Sequence, residues 1–426
     1  RMLYCKGALA EMIRVCTHYI DPESQLVCPL DQNMLTQLHE LGQTLASQGM
    51  RVLGVGKKVA NDGPVSASQG WTTLDEAKLT LVGVLTFLDE PKESAGPALD
   101  LLRSLSVHVK VLTGDNPLVA KQVCSQLGMK DVQMLTGDDM TRLTSDDDDP
   151  VLQQLFYDTV IFSQLAPHDK ARVVRCLRFR GDVVGMLGDG VNDALALREA
   201  DVGISVDTGT ELAKDAADII LTEKDLVVLA DAVQTGRLTY ANSIKYIKMA
   251  SSGNFGNVFS LLFAAAWLPF LPIHSLQLLT QNLLYDISQI AIPFDSMDES
   301  YLRTPKRWSG GNLASFMICI GPVSSVFDIA TFMIAFYYYG YDDKDDVRAV
   351  SSFQTMWFMQ GLMTQTLIVH MIRTEKIPFI QSRPPIQLLL TTLVVTAIGF
   401  IIPYIPPVAD MLDMVSPPGS YFGFLA

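Results

Sequence analysis

The sequence is poor in cysteine and in positive charge. Six of its 426 residues are cysteine and none forms a C-x-x-C pair, which argues against a disulfide framework and a zinc site. We therefore expect reduced and mostly buried thiols. The formal net charge of −14 argues against a nucleic-acid partner, because such a partner requires a basic surface. Position 1 is arginine and no signal-peptide pattern follows it, so the chain is expected to be part of a longer protein.

Charged residues are unevenly distributed along the chain. They recur every few positions before about residue 240, and long apolar runs follow. A chain of this length is expected to contain two or three domains. The change in composition predicts that the later part differs in class from the earlier part.

The stretch from about 80 to 235 alternates short apolar runs with helix-length segments. This alternation predicts a doubly wound parallel sheet, in which ligands bind at the carboxyl ends of the strands. The predicted strands are 79–87, 107–114, 158–163, 182–188, 201–206 and 218–222. Upstream, a predicted helix over 34–49 and a predicted strand over 50–60 indicate part of an α+β domain.

Five segments in the later part are long and apolar enough to predict membrane spans. They cover 246–268, 275–294, 313–339, 353–372 and 386–409. Basic residues flank the segments mostly on one side, with nine there (Arg237, Lys245, Lys248, Arg303, Lys306, Arg307, Arg373, Lys376 and Arg383) against two on the other (Lys344 and Arg348). This asymmetry predicts that the α/β part lies in the cytoplasm.

The apolar run at 182–187 ends in the sequence GDGVND at 188–193. Its glycines permit a tight turn beside a ligand, while Asp189 ends the strand and Asp193 begins the next helix. Two carboxylates at a strand end suit a magnesium ion, and Asn192 adds an amide. A capped strand-to-helix turn without a ligand is the alternative, since Asp and Asn are frequent N-caps.

Another predicted strand end carries Thr113, Gly114 and Asp115. A hydroxyl and backbone N–H groups at such a junction can hold phosphate oxygens. Lys170 opens a helix, where a cation is poorly matched to the helix dipole, so a nearby anion would explain it. An ordinary surface lysine is the alternative. Because these positions share one edge of the predicted sheet, we interpret them as a single site.

The sequences TGDN at 113–116, GDGVND at 188–193 and KGA at 6–8, followed by membrane segments, resemble the P-type ATPases. The phosphoryl-transfer domain of that family has the haloacid-dehalogenase fold. The resemblance implies catalytic roles for Thr113, Gly114, Asp115, Lys170 and Asn192, magnesium binding by Asp189 and Asp193, and ATP binding by Lys6, Gly7, Arg51 and Asp89. At Asp89 the sequence reads Asp-Glu-Pro where the family has Asp-Pro-Pro, a small departure.

The D-K-T-G motif that carries the family's phosphorylated aspartate does not occur in this sequence. The resemblance therefore implies a partner, the N-terminal half of the same protein, which holds the nucleophile, the actuator domain and four membrane helices. This C-terminal portion is expected to be inactive alone. The implied domains are the end of the nucleotide-binding domain at 1–88, the phosphorylation domain at 89–235, and a stalk with about five membrane helices, the last truncated, at 236–426.

Polar residues within the predicted spans are candidates for an ion pathway. Asn254 and Asn257 share a face of the first span, and Asn282, Asp286 and Gln289 share a face of the second. A carboxylate with several amide oxygens suits a hard cation, whereas hydrogen bonding between helices is the alternative.

The identity of the ion is constrained by what these spans lack. The first two spans contain no cysteine, which disfavours copper and zinc, and calcium pumps usually show an acid where Asn257 stands. Asp328, a further acid in a predicted span, is either part of an ion site or a structural partner. The alternatives for the whole protein are a calcium or proton pump, or a membrane-tethered phosphatase that does not transport.

Three longer stretches give the resemblance its specificity: YIKMASSGNFGNVFS, LLTQNLLYDISQIAIPFD and TQTLIVHMIRTEKIPFIQS. They resemble the bacterial magnesium-transporting P-type ATPases. The resemblance implies ATP-driven transport of magnesium through the lipid bilayer of the inner membrane, with ATP and Mg²⁺ as cofactors.

Overall fold

The computed structural model describes residues 2–59, 76–88, 90–129, 131–144 and 146–425. The chain divides into two compact units, Arg1–Asp231 and Ala232–Ala426. Each is described by itself below. The predicted boundary within the first unit, at residues 88 and 89, stays a prediction.

A five-stranded sheet opens the first unit. Its strands are β1 (Met2–Ala8), β2 (Cys16–Ile20), β3 (Val27–Pro29), β4 (Met50–Val59) and β5 (Leu79–Leu88), in the order β1-β4-β5-β2-β3. Helix α1 (Leu9–Val15) and helix α2 (Gln32–Ser47) accompany it. The predicted helix over 34–49 and the predicted strand over 50–60 are thus found as α2 and β4.

The strand predicted at 79–87 was assigned to the wrong sheet. It is found as β5, but β5 pairs antiparallel with β4 and parallel with β2 in the five-stranded sheet. The buried side chains of Met12, Leu79 and Leu81 form its core. A short apolar run does not show which strand it pairs with, because the pairing depends on packing between segments distant along the chain.

The remaining strands form two three-stranded parallel sheets rather than the single doubly wound sheet that was predicted. One has the order β6-β8-β7 and the other the order β11-β10-β9. The strands are β6 (Val111–Leu112), β7 (Met134–Thr136), β8 (Ile161–Ser163), β9 (Gly185–Leu187), β10 (Val202–Val206) and β11 (Ile219–Leu221). Within the described residues, β6 and β9 each have one strand neighbour, so both are edge strands.

Seven helices connect and cover these strands within the described residues of the first unit. They are α3 (Ala95–Ser104), α4 (Pro117–Gln126), α5 (Gly137–Arg142), α6 (Pro150–Asp158), α7 (Pro167–Phe179), α8 (Ala194–Glu199) and α9 (Glu211–Ala216). Asp149, Asn116 and Thr136 cap α6, α4 and α5 through their side chains, as residues of these types commonly do. Helices α4 and α5 begin shortly after the ends of the strands β6 and β7 that they follow.

The second unit is helical in its described residues. Its main helices are α10 (Leu226–Ala265, which begins in the first unit), α11 (Ser275–Gln289), α13 (Gly310–Met333), α14 (Val347–Ile372) and α15 (Ile386–Ile401). Short helices are α12 (Glu299–Leu302), α16 (Pro406–Met411) and α17 (Phe422–Leu425). Each of the five predicted spans overlaps one of the main helices.

Two helical stretches of the described chain, Gly310–Tyr338 and Ile386–Tyr404, are long and apolar enough to cross a membrane by length and composition. The other three predicted spans do not meet that standard. Helix α11 has 15 residues, which is short for a span. Helices α10 and α14 are long enough, but polar side chains lower their hydropathy, such as Asn254 and Asn257 in α10 and Gln360 and Gln365 in α14.

Helices α10 and α13 approach each other through glycine. A Cβ atom placed on Gly256 would lie 2.5 Å from Ser324 Oγ and 2.9 Å from the carbonyl oxygen of Gly321. Only a residue without a side chain allows this approach, and small residues are common where helices pack closely in membranes. Gly256 therefore fixes the spacing at which side chains of these two helices meet.

Candidate functional site

The turn after β9 places Asp193 against Gly188, the residue that follows the strand. A Cβ atom on Gly188 would lie 2.5 Å from Asp193 Cβ, so this position requires glycine. The backbone N–H of Gly190 donates to Asp193 Oδ2 at 3.2 Å. The 3₁₀ turn Val191–Asp193 leads into α8. The spacing of the GDGVND sequence therefore sets the position of the Asp193 carboxylate.

Lys170 pairs with Asp193. Its Nζ lies 2.7 Å from Asp193 Oδ1, and the side chains are 11% and 13% exposed. Lys170 lies in the first turn of α7, where the Asp169 carboxylate accepts a hydrogen bond from Ala166 N at 3.0 Å. The predicted anion near Lys170 is thus a carboxylate of the same predicted site. Being nearly buried, the pair holds both charges in place in a medium of low polarity.

Asp189 pairs with a lysine that the sequence did not indicate. Lys224 Nζ lies 2.5 Å from Asp189 Oδ2, with 60% and 48% of the side chains exposed. The backbone carbonyl of Lys224 accepts a hydrogen bond from Lys92 Nζ, and Ser94 Oγ donates to the adjacent Asp225 at 2.9 Å. Nothing in the local pattern marks Lys224, because its partner lies far away along the chain.

The chemistry of this turn fits a magnesium ion. Each carboxylate forms an ion pair with a lysine, and exposed Asn192 offers an amide oxygen beside them. No group of three or more His, Cys, Asp or Glu residues gathers to hold a metal within the described residues. Two carboxylates suffice for magnesium when water and phosphate oxygens complete its octahedron.

Residues of the turn after β6 form hydrogen bonds with one another. Thr113 Oγ1 donates to Asp115 Oδ2 at 2.9 Å and accepts from Asp115 N at 3.1 Å. Gly114 is exposed, and the Asn116 side chain caps α4 by accepting from Leu118 N at 2.9 Å. The arrangement presents a hydroxyl and backbone N–H groups at a strand-to-helix junction, which suits phosphate oxygens.

Backbone hydrogen bonds connect this turn to the segment before α7. Thr113 N donates to Phe162 O at 2.9 Å, and Leu165 N donates to Thr113 O at 3.1 Å. Leu165 lies two residues before α7, whose Lys170 reaches Asp193. These bonds connect the Thr113 turn to the segment that leads into α7, and the ion pair of Lys170 connects α7 to Asp193. The turns belong to two different sheets, not to one sheet edge as predicted.

The predicted ATP-binding residues lie on the five-stranded sheet. Lys6 and Gly7 are on β1 and pair with Val55 and Gly54 of β4. Arg51, near the start of β4, forms an ion pair with Asp115. The structure thus joins this predicted nucleotide residue to the Thr113 turn.

The predicted hinge residue Asp89 lies outside the described residues. Its role in ATP binding therefore stays a prediction. The strand that precedes it, β5, ends at Leu88.

Among the described residues, a hydrogen bond brings together two of the four predicted cation ligands of the second unit, Asn257 and Asn282. Asn257 Nδ2 donates to Asn282 Oδ1 at 3.5 Å, and Gln365 Nε2 donates to Asn257 Oδ1 at 2.8 Å. Asn254 and Asp286 are exposed on the same two helices as Asn257 and Asn282. Gln365 of α14 was missed by the sequence reasoning, because only the packing of α14 against α10 brings it there.

A buried ion cluster that the sequence did not indicate closes one end of the helical unit. Asp295 accepts from Lys245 Nζ at 2.7 Å and from Arg373 Nη2 at 2.7 Å. All three side chains are at most 6% exposed. The sequence marked both basic residues only as flanking charges, whereas Asp295 ties α10 to the end of α14.

Comparison with known proteins places this arrangement in a family. Residues 35–201 match the haloacid dehalogenase-like hydrolase family, and residues 270–426 match the family described as cation transporting ATPase, C-terminus.

Relatives align over the chain as a whole. A Salmonella typhimurium protein named "Magnesium-transporting ATPase, P-type 1" is 46% identical over 424 residues, 99% of this chain and 45% of the relative. A protein of the same name from Escherichia coli K12 is 45% identical, with 99% and 46% covered. A calcium-transporting ATPase of Listeria monocytogenes is 27% identical over 376 residues, with 85% and 41% covered. The chain thus spans less than half the length of these relatives, and it belongs to the P-type ATPase family.

Proposed function

We propose that the protein containing this chain is an ATP-driven pump that moves magnesium across a membrane through an aspartyl-phosphate cycle. The observation that carries the choice of ion is the 46% identity over 99% of the chain to a protein named for magnesium transport. The relative named for calcium transport reaches 27% over 85%. This chain is then the C-terminal portion of the pump, and the N-terminal half supplies the phosphorylated aspartate.

The strand-end turns support the phosphoryl-transfer part of the proposal. Asp189 and Asp193 would hold the catalytic Mg²⁺, which, when bound, neutralises charge on the transferred phosphoryl oxygens. Thr113 and the backbone N–H of Gly114 would donate to those oxygens. Lys170 holds Asp193 in place and keeps a positive charge beside the reacting group.

The nucleotide part of the proposal rests on cations at one end of the five-stranded sheet. Lys6 is exposed on β1 beside Gly7, and the exposed guanidinium of Arg51 reaches Asp115 at the phosphoryl site. These groups would bind the ATP phosphates as charge-assisted donors, with Asp89 at the predicted hinge. The three predicted domains, 1–88, 89–235 and 236–426, would then separate nucleotide binding, phosphorylation and transport.

The second unit would form a multi-pass bundle in the inner membrane, with the first unit in the cytoplasm. The excess of basic residues on one side of the helices supports this orientation. Asn254, Asn257, Asn282 and Asp286 would form the transport site. One carboxylate with neutral amide oxygens suits an ion that keeps part of its water shell, as magnesium does.

The test uses the full-length protein in liposomes, with ATP outside and indicators for magnesium or calcium in the lumen. Wild type should change lumenal magnesium in an ATP-dependent manner, Asp286→Ala should not, and Asp342→Ala, in an exposed loop, should behave as wild type. ATP hydrolysis without movement of either ion would support a phosphatase, and movement of calcium alone would refute the choice of ion.

A further inference from the structure

A short segment of the first unit, the Lys224 junction (residues 222–225), lies between strand β11 and helix α10. Lys224 Nζ lies 2.5 Å from Asp189 Oδ2, and 60% of the lysine side chain is exposed. An ion pair this exposed contributes little to the stability of a fold. Stability alone therefore does not explain why a lysine is placed against a proposed magnesium ligand.

The same junction holds the beginning of α10. Asp225 Oδ1 accepts a hydrogen bond from Val227 N at 2.9 Å, which caps the first turn of this 40-residue helix. Ser94 Oγ, just before α3, donates to Asp225 Oδ2 at 2.9 Å, and Lys92 Nζ donates to the carbonyl oxygen of Lys224. The Lys224 junction thus connects the proposed magnesium turn, the segment before α3 and the start of α10.

The Lys224 ammonium group and a magnesium ion would compete for one carboxylate. A divalent cation bound to Asp189 would lie close to that ammonium group, and like charges at such short range repel strongly. The second lysine of the turn is not free to leave, because the pair of Lys170 and Asp193 is nearly buried. Lys224 can instead turn into solvent on its flexible four-carbon stem.

We propose that Lys224 is a positioning residue that competes with the catalytic magnesium ion for Asp189 and releases the start of α10 when magnesium binds. This inference rests on the proposed function, because it takes Asp189 as a magnesium ligand. The Lys224 side chain then moves to solvent, while Asp225 keeps its bonds to Ser94 and Val227. Lys224 therefore lowers the affinity of the turn for magnesium, and the junction becomes more mobile when the ion is bound.

The experiment follows hydrogen exchange by mass spectrometry in the full-length protein while magnesium chloride is titrated at constant ionic strength without nucleotide. In wild type, amides of the turn at 188–193 should become more protected as magnesium binds. Amides at 222–227, where Asp225 N and Val227 N are hydrogen-bonded, should exchange faster with the same midpoint. This opposite response of two segments separates release of the junction from a general stabilisation of the fold.

Replacing Lys224 tests the competition directly. In Lys224→Met the magnesium midpoint at the turn should fall by up to about fivefold, the factor that corresponds to one exposed ion pair. Amides at 222–227 should no longer respond to magnesium in this variant. Because the side chain is largely exposed, the variant should fold.

Two control variants separate competition from other effects of charge. Lys224→Arg keeps a cation against Asp189 and should keep both the wild-type midpoint and the response at 222–227. Lys344→Met removes the same charge from an exposed loop of the second unit and should also behave as wild type. Asp189→Asn should abolish both responses, since it removes the carboxylate for which the two cations compete.

Three results would overturn the inference. They are a midpoint in Lys224→Met that equals or exceeds the wild-type value, junction amides in wild type that ignore magnesium while the turn gains protection, and a junction response that persists in Asp189→Asn. Failure of magnesium to protect the turn in wild type would instead overturn the catalytic magnesium site of the proposed function.

Discussion

Replacing Lys170 with methionine should destabilise the strand ends of the first unit far more than the same change at Lys224. Both lysines pair with a carboxylate at 2.7 Å or less, but the Lys170 pair is almost buried whereas the Lys224 pair is about half exposed. Removing one partner of a buried pair leaves an uncompensated charge and costs about 3–5 kcal/mol. Exposed pairs contribute about 0–1 kcal/mol. Because Asp193 keeps its bond from Gly190 N, we expect the lower value, about 3 kcal/mol.

Hydrogen exchange followed by mass spectrometry measures this difference locally. The amides of β9 and β10 should exchange about 150-fold faster in Lys170→Met, since 1.4 kcal/mol corresponds to a factor of ten. In Lys224→Met the increase should stay below about fivefold. Lys224 thus serves as the matched control, because it forms the same kind of lysine–aspartate ion pair but is much more exposed to solvent.

Magnesium should restore much of the lost protection if Asp193 binds it. A concentration ten times the dissociation constant stabilises the folded form by about 1.4 kcal/mol, which would recover about tenfold of the protection. Adding Asp193→Asn to Lys170→Met should remove this recovery. Equal exchange in the two lysine variants would refute the argument from burial, and equal recovery with and without Asp193 would refute the magnesium assignment.

Three further predictions concern other parts of the chain. Arg51→Ala should raise the KM for ATP about fivefold, because an exposed cation contributes about 1 kcal/mol, and Arg51→Lys should restore part of it; an unchanged KM in steady-state assays would contradict the role. Asp295→Asn leaves two buried cations without their anion and should lower the free energy of unfolding in detergent by about 3–5 kcal/mol, so an unchanged denaturation midpoint would show that the cluster is not structural. Burial raises the pKa of the Cys16 and Cys176 thiols to about 11, so a charged maleimide should leave both unmodified at pH 8. Cys319, exposed on α13, should react only with an apolar maleimide, and labelling by the charged reagent would place it outside the bilayer.

The turns that the sequence located correctly are those whose geometry depends on local spacing. The separation of Gly188 from Asp193 determines the turn after β9, and Thr113 and Asp115 close their own turn through bonds between near neighbours. The family was also predicted from these motifs and is confirmed by the relatives. Local motifs are informative because few backbone conformations satisfy them.

The partners that the sequence missed are distant along the chain. Lys224, Asp295 and Gln365 meet their partners only when separate helices and strands pack together. None of the three belongs to a local sequence motif. The prediction of which strands share a sheet was wrong for the same reason. The apolar run at 79–88 identifies a strand, but its antiparallel pairing with β4 is a tertiary property.

The edge strands β6 and β9 bear on whether the proposed pump can be expressed as two separate halves that reassemble. Each is followed by one of the two turns that we propose to bind phosphate, and an edge strand offers N–H and C=O groups to any extended chain. A strand supplied by the N-terminal half and bearing the nucleophile would satisfy that edge while completing the catalytic centre. Folding of the sheet and gain of activity would then be a single event. Two separately expressed halves should regain hydrolysis on mixing, whereas the C-terminal half alone should be prone to self-association through the same edges.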